Sequence, residues 1–230
     1  MKISVVIATY RRGNNLDHLK KTLKSVFDQT HQDFKIYLIG DRFEGEDEIK
    51  DLILNFDKDK IYFENLQVAM ERDFYDNKQI LWLYGGCNAR NRGIEISLSE
   101  GNDYICHLDH DDIWDSDHLE MVNKCIEETG SDWMCSKSKY KREEILIDMI
   151  LPIIDSDDEF IDFLPVPHGI VHSSVCINFK KVPLRYRDIY RETGSPGDPS
   201  DADLWKRCSD FIVSNNLKST LINKLTCASC

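Results

Sequence analysis

Residues 103–114 read DYICHLDHDDIW. Tyr104 to Leu108 form an apolar, strand-like run that ends in Asp109, Asp111 and Asp112. Like charges about 4 Å apart repel by roughly 1 kcal/mol in water and roughly 4 kcal/mol at an effective dielectric of 20. Two arrangements offset that cost. A divalent cation with oxygen ligands would bring the local charge toward balance. A solvated acidic turn that caps the next helix would spread it into water. The stretch alone leaves both open.

Working outward, the N-terminal half alternates strand and helix. Ile3 to Ala8 (ISVVIA) is a β-branched run, the pattern of a strand buried on both faces. The polar loop Thr9 to Asn14 follows. Leu16, Leu19, Leu23, Val26 and Phe27 then recur at helical spacing, with Asn14 or Asn15 as N-cap. Phe34 to Ile39 (FKIYLI) is a second strand, ending in Gly40-Asp41-Arg42. Ile49, Leu52, Ile53 and Phe56 mark a helix, and Ile61 to Phe63 a short strand. Residues 64–79 read as an irregular polar insertion, and Ile80 to Tyr84 (ILWLY) as another strand. A Gly85-Gly86 turn leads into a helix through Leu98, closed near Gly101. After the acidic strand end, Ser116 is the N-cap of a helix carrying Leu119, Val122 and Ile126, stopped by Gly130.

This alternation predicts a three-layer α/β/α sandwich on a mostly parallel central sheet. Ligands of such sheets bind at the carboxyl ends of the strands. The loops after Ala8, Ile39 and Leu108 therefore share one crevice. They carry Thr9, Tyr10, Arg11, Asp41, Asp109, Asp111 and Asp112. The second half is irregular. Strands are expected at 132–136, 144–150 and 174–179, with prolines between. Residues 194–200 (GSPGDPS) read as a mobile loop. Asp201 and Asp203 then open a helix, with acid at its positive end.

Composition narrows the function. A chain of 230 residues, 41% hydrophobic and 30% charged, suits one globular domain. A net charge of −12 argues against nucleic-acid binding, which needs a basic footprint. No apolar run is long enough to span a bilayer, and the N-terminus goes straight into a strand rather than a signal peptide. Cys106, Cys135 and Cys176 lie in apolar strand runs, and Cys125 on a helix's apolar face. They read as buried free thiols of a reducing compartment, so a soluble, cytoplasmic chain is expected. Cys227-Ala-Ser-Cys230 closes a segment read as a flexible tail. A dinucleotide fold would need a glycine-rich first turn, and ATYRRGN has one glycine. A phosphate-loop lysine motif is absent as well.

Six segments occur in register: ISVVIATYRR, Gly40-Asp41, CNARNRGI at 87–94, HLDHDDIW at 107–114, HSS at 172–174 and SDADLWKR at 200–207. Together, over about residues 1–210, they resemble the family-two glycosyltransferases of the GT-A fold. The resemblance implies a single domain. Residues 1–115 would hold a nucleotide-sugar and 116–215 the acceptor and catalytic groups, with a 216–230 tail. Thr9, Tyr10 and Arg11 match the nucleotide-binding first loop, and Asp41 the aspartate that contacts the base. The family usually has two acidic residues there, where this chain has Gly40 before Asp41. Arg90 matches a basic residue near the phosphates, with Arg92 a second candidate in a cluster with Arg11 and Arg12. Asp109 and Asp111 match the D-x-D element. The second would ligate Mn²⁺ or Mg²⁺ on the donor's diphosphate, and the first the ribose or the metal's waters. Asp112 is left to cap the next turn.

Asp201 matches the catalytic base, with Asp203 as fallback, although Ser200 stands where the family has glutamate. His172 matches a segment near the acceptor, and His168 lies close in sequence. Trp205 would line the acceptor site or sit in the core. The implied activity is metal-dependent, inverting transfer of a sugar, UDP-linked on family grounds, to a hydroxyl of a glycan, lipid or protein. Gly40 and Ser200 keep open an inactive binding module on the same fold. A nucleotidyltransferase would need a glycine-rich basic first loop, which ATYRRGN does not supply.

Overall fold

The structure, a computed structural model, describes residues 1–11, 15–142 and 147–229. Arg12, the N-cap candidate Asn14, the start of the strand expected at 144–150, and Cys230 lie outside the described residues. In chain order the elements are β1 (Ile3–Thr9), α1 (Asn15–Phe27), β2 (Phe34–Gly40), α2 (Glu46–Ile53), β3 (Ile61–Asn65), α3 (Met70–Phe74), α4 (Lys78–Tyr84), α5 (Cys87–Ser99), β4 (Tyr104–His107) and β5 (Ile113–Trp114). Then follow α6 (His118–Thr129), β6 (Trp133–Arg142), β7 (Ile147–Leu151), β8 (Phe160–Asp162), β9 (Val175–Asn178), α7 (Ile189–Thr193), α8 (Ser200–Asn215) and β10 (Ser219–Ala228).

All ten strands join one sheet, whose main path is β3-β2-β1-β4-β9-β6-β10-β5. The first four strands are parallel, as the strand–helix alternation requires. Past β4 the sheet is mixed. β9 runs antiparallel to β4 and to β6, and β10 runs parallel to β6 and antiparallel to β5. β7 extends β6, and β8 lies along β10. Alternate side chains of β1 feed two cores. Val5 and Ile7 pack with Leu19 and Leu23 of α1 and Leu119 and Val122 of α6. Val6 packs on the other face with Ile94 of α5 and Leu204 and Trp205 of α8. Helices thus cover both faces, which leaves the strand ends as the place for a ligand.

Two glycines mark where backbones approach. A Cβ on Gly93 would lie 2.7 Å from Val6 Cγ1, so α5 can seat against β1 only with glycine there. A Cβ on Gly40 would clash with Asn65 Oδ1. That oxygen accepts from the Phe43 N–H at 2.8 Å, while the Asn65 amide donates to the Phe43 carbonyl. Asn65 thus fills the space that an acidic side chain at position 40 would need.

The structure corrects four expectations. ILWLY is the helix α4, with Ile80 and Tyr84 buried one turn apart and Trp82 outward. A short apolar run does not separate helix from strand by periodicity. The cue was Asn77, whose Oδ1 accepts from the Gln79 and Ile80 N–H groups as an N-cap. The 64–79 stretch holds the end of β3 and all of α3 rather than an insertion. α6 starts at His118 behind Asp117, so Ser116 is not its N-cap. The expected tail is β10, set inside the sheet, with Leu221, Ile222 and Cys227 buried. Register shifts around Leu225 break its alternation, which is why it does not read as a strand. Seven cysteines, including Cys106, Cys125, Cys135 and Cys176, are free and buried. Among the described residues, no helix is long and apolar enough to cross a membrane.

Candidate active site

A crevice of about 1010 Å³ opens at the carboxyl ends of β1, β2 and β4. Thr9, Tyr10, Asp41, Arg90, Asp109, Asp111, His172 and Asp201 all line it. Arg11 does not; it turns outward to Glu48 at 2.7 Å. Arg92 likewise pairs with Glu64 and Glu95, away from the crevice.

At one end Asp41 is almost wholly buried. Its Oδ2 accepts from Arg72 Nε at 3.0 Å. Arg72 also donates to the Arg42 carbonyl and lies over the Tyr10 ring at 5.1 Å. Burial pushes the Asp41 carboxyl up, and Arg72 opposes the shift. Asp41 Oδ1 and Thr9 Oγ1 are buried without a hydrogen-bond partner. Such orphans cost about 1–3 kcal/mol each unless a ligand fills them. Beneath them Glu71 is buried, and its Oε1 accepts from the Asn88 N–H at 3.0 Å in the first turn of α5. Burial, then the Asp41 charge, raises the Glu71 carboxyl to about 7. Arg72 and Glu71 both come from α3. Neither carries a local signal in the sequence, because their partners are brought near only by the fold.

The middle of the crevice is an ordered polar chain. Asp109 Oδ1 accepts from Arg90 Nη2 at 3.0 Å and lies 3.1 Å from His172 Nδ1. Burial alone would raise the Asp109 carboxyl. The charges of His172 and Arg90 outweigh it and hold the group well below the usual carboxylate range. His172 Nε2 meets the Tyr186 hydroxyl at 2.7 Å, and that hydroxyl lies 3.1 Å from Nδ1 of the buried His107. The Trp205 indole stacks on His172, with ring centroids 6.1 Å apart. Trp205 is thus both core and crevice wall, and His172 is fixed from three sides. Tyr186 carries no local signal in the sequence, since it stands alone in a loop. Asp112 is buried, and its Oδ2 accepts from the Ser173 hydroxyl at 2.6 Å. Ser173 Oγ in turn accepts from the Asp109 N–H at 2.9 Å. Asp112 therefore ties the HSS segment to the acidic turn rather than only capping it.

Asp111 shares the crevice wall with Asp109. Among the described residues, no cluster of three or more His, Cys, Asp or Glu side chains could hold a metal ion alone. Mg²⁺ and Mn²⁺, however, bind by one or two carboxylates completed by phosphate oxygens and water. Asp111 and Asp109 beside an open crevice fit that pattern.

At the far end Asp201 opens α8 and lines the crevice, its Oδ1 accepting from the Ala202 N–H. Asp203 is held by Arg187 at 2.9 Å and Arg207 at 2.7 Å and does not line the crevice. His168 lies on the rim, 3.4 Å from Asp198. The loop before Asp201 is pinned to α4, where the Gly197 N–H donates to the Tyr84 hydroxyl at 2.7 Å.

Fold and crevice together define a GT-A glycosyltransferase. The chain belongs to glycosyl transferase family 2, whose sequence profile matches residues 4–172. The uncharacterized glycosyltransferase R139 of Acanthamoeba polyphaga mimivirus is 34% identical over 219 residues, covering 94% of this chain and 88% of that protein. An uncharacterized glycosyltransferase of Rickettsia bellii (strain RML369-C) is 31% identical over 141 residues, 61% of this chain and 17% of its own length. Among solved structures, S. aureus TarS 1-349 in complex with UDP-GlcNAc superposes on the whole chain with a TM-score of 0.69 at 15% identity. TarS 1-349 in complex with UDP gives 0.68 at 14%. The chain spans 58% and 60% of those two structures, and the likeness is one of fold.

Proposed function

We propose that the chain transfers a sugar from a UDP-sugar to a hydroxyl of a glycan, lipid or protein acceptor, with inversion and with Mn²⁺ or Mg²⁺. One observation carries this reading. A single crevice holds the orphaned acceptors Thr9 Oγ1 and Asp41 Oδ1 at one end, Asp109 and Asp111 in the middle and Asp201 at the other. Uracil offers one imide N–H between two carbonyls. That suits a carboxylate with one unpartnered oxygen and its other oxygen held by a guanidinium. The solved TarS complexes with UDP and UDP-GlcNAc support a uridine donor.

Asp111, with Asp109, would hold the metal, which supplies Lewis-acid stabilisation of the departing diphosphate. Arg90 and His172 keep Asp109 ionised and oriented for that task. Asp201 takes the proton of the acceptor hydroxyl. The hydroxyl oxygen bonds to the anomeric carbon on the face opposite the diphosphate. The carbon–oxygen bond to the diphosphate breaks, and its electron pair leaves with UDP. The pinned 194–199 loop beside Asp201 limits water that would compete as acceptor. Gly40 does not argue for an inactive module, because Asn65 packs where its side chain would be.

Melting of the protein with UDP, GDP or CMP, with and without Mn²⁺, tests the reading. At about 100 times its dissociation constant UDP should add roughly 2.7 kcal/mol, and only with metal. Asp111→Asn should lose that shift. Asp201→Asn should keep the shift and lose transfer by about 10²-fold or more. Cooperative melting that no nucleotide shifts would end the proposal.

A further inference from the structure

A second groove, of about 580 Å³, lies on the other side of α4, between α3 and α7. Its wall is a run of edge-to-face rings. Phe74 meets Tyr75 at 4.9 Å, and Tyr75 meets Tyr190 at 5.4 Å. The run is rigid, because the Tyr75 hydroxyl donates to the Asp188 carboxylate at 2.7 Å. Arg191 lies over the Phe74 ring at 5.4 Å, yet Phe74 stays 59% exposed. Exposed Asp76, Asn77 and Gln79 form the polar rim. An exposed aromatic face beside a carboxylate and two side-chain amides matches a sugar ring. The ring's C–H face is apolar, and its hydroxyls both donate and accept.

The groove continues the catalytic crevice. Leu83 of α4 lines both cavities, and Trp82, 74% exposed, stands on the crevice side. The 194–199 segment runs from the groove wall at Pro196 to the proposed base Asp201. A chain molecule whose end reacts at Asp201 could cross Leu83 and lay its next units on Phe74. Among the described residues, Asp76 is the one charged residue that lines the groove, which disfavours an anionic chain and suits a neutral one.

We propose that this groove is a distal subsite for a neutral oligosaccharide acceptor, so that the acceptor is a glycan of several units rather than a single sugar. This rests on the glycosyltransferase reading of the crevice. A lipid surface is the other occupant for exposed aromatics. The polar rim and the net charge of −12 disfavour an anionic bilayer.

The test uses the full chain and neutral oligosaccharide ladders from monosaccharide to hexasaccharide. Three ladders are used: β-linked N-acetylglucosamine, β-linked glucose and α-linked mannose. Binding is read by calorimetry and by ligand-detected NMR. On at least one ladder, affinity should rise roughly tenfold between monosaccharide and tetrasaccharide, the worth of about one good aromatic contact. Phe74→Ala and Gln79→Ala, both surface changes, should each remove most of that gain. The UDP-dependent melting shift and acceptor-free hydrolysis of the donor should stay at wild-type values. The proposal falls if no ladder shows a length gain, or if the gain survives both variants. It also falls if Phe74→Ala abolishes binding to vesicles of phosphatidylcholine and phosphatidylglycerol while the ladders are unchanged. A length gain lost in the variants of a protein that no nucleotide stabilises would keep the groove and sink the donor reading.

Discussion

Asp41 is held by one partner that the sequence does not announce. Its carboxylate is nearly inaccessible, and Arg72 is its only ion pair among the described residues. Arg72→Ala should therefore leave a buried charge uncompensated and cost about 3 kcal/mol. Asp41→Asn added to Arg72→Ala should recover most of that loss, which a urea double-mutant cycle measures. Additive losses in the cycle would mean that the pair is not coupled. The same pair shows what was legible residue by residue. Asp41, Asp109, Asp111 and Asp201 stood out because each sits where a strand ends or a helix begins. Arg72, Glu71 and Tyr186 act through partners 31, 17 and 14 positions away in the chain, and no local pattern records that. What distinguishes Asp201 from Asp203 is likewise visible only in space: two arginines occupy Asp203, and Asp201 lines the crevice.

Among elements, α5 depends on both of its neighbours. Glu71 of α3 caps its first turn with a carboxyl raised to about 7 against an ordinary 4.5. The folded state therefore holds this proton more tightly than the unfolded chain. The stability it brings is complete below about pH 4.5 and is lost as pH rises through 7. Relative to Glu71→Gln, the wild type should lose up to about 3 kcal/mol across that window, read from melting in a pH series. Parallel pH profiles for the two proteins would rule the burial effect out. Where α5 crosses β1, Gly93→Ala gains up to about 1 kcal/mol of helix propensity. It also drives a methyl into Val6, an overpacking cost of about 1–3 kcal/mol. We expect net destabilisation of about 1 kcal/mol by urea unfolding. A more stable variant would show that α5 can lift off the sheet freely. The helices with long apolar periodicity, α1 and α6, were readable as such. α4 was not, because its apolar run is as short as a strand.

For the molecule as a whole, the two halves share one sheet, with β4 of the first hydrogen-bonded to β9 of the second. The same core cluster contains Val6 and Tyr37 from one half and Trp133 and Trp205 from the other. The halves should therefore unfold together. Tryptophan fluorescence and far-ultraviolet circular dichroism should give coincident urea transitions, and two separated midpoints would show independent domains. The parallel half followed from strand–helix alternation alone. The mixed half did not, since β4, β5, β6 and β8 find partners in distant segments and β10 is bulged.

The place of β10 bears on how the protein is made. It emerges from the ribosome after every strand it joins, yet it belongs between β6 and β5. The parallel strands whose ends line the crevice at Thr9, Asp41 and Asp109 are all synthesised by His107. The other half must wait with a gap in its sheet until residues 219–228 clear the exit tunnel. During that interval β6 exposes an unpaired edge, the kind of surface that recruits chaperones or stray strands. Synthesis order thus gives this chain a parallel half that can form early and a mixed half that closes last.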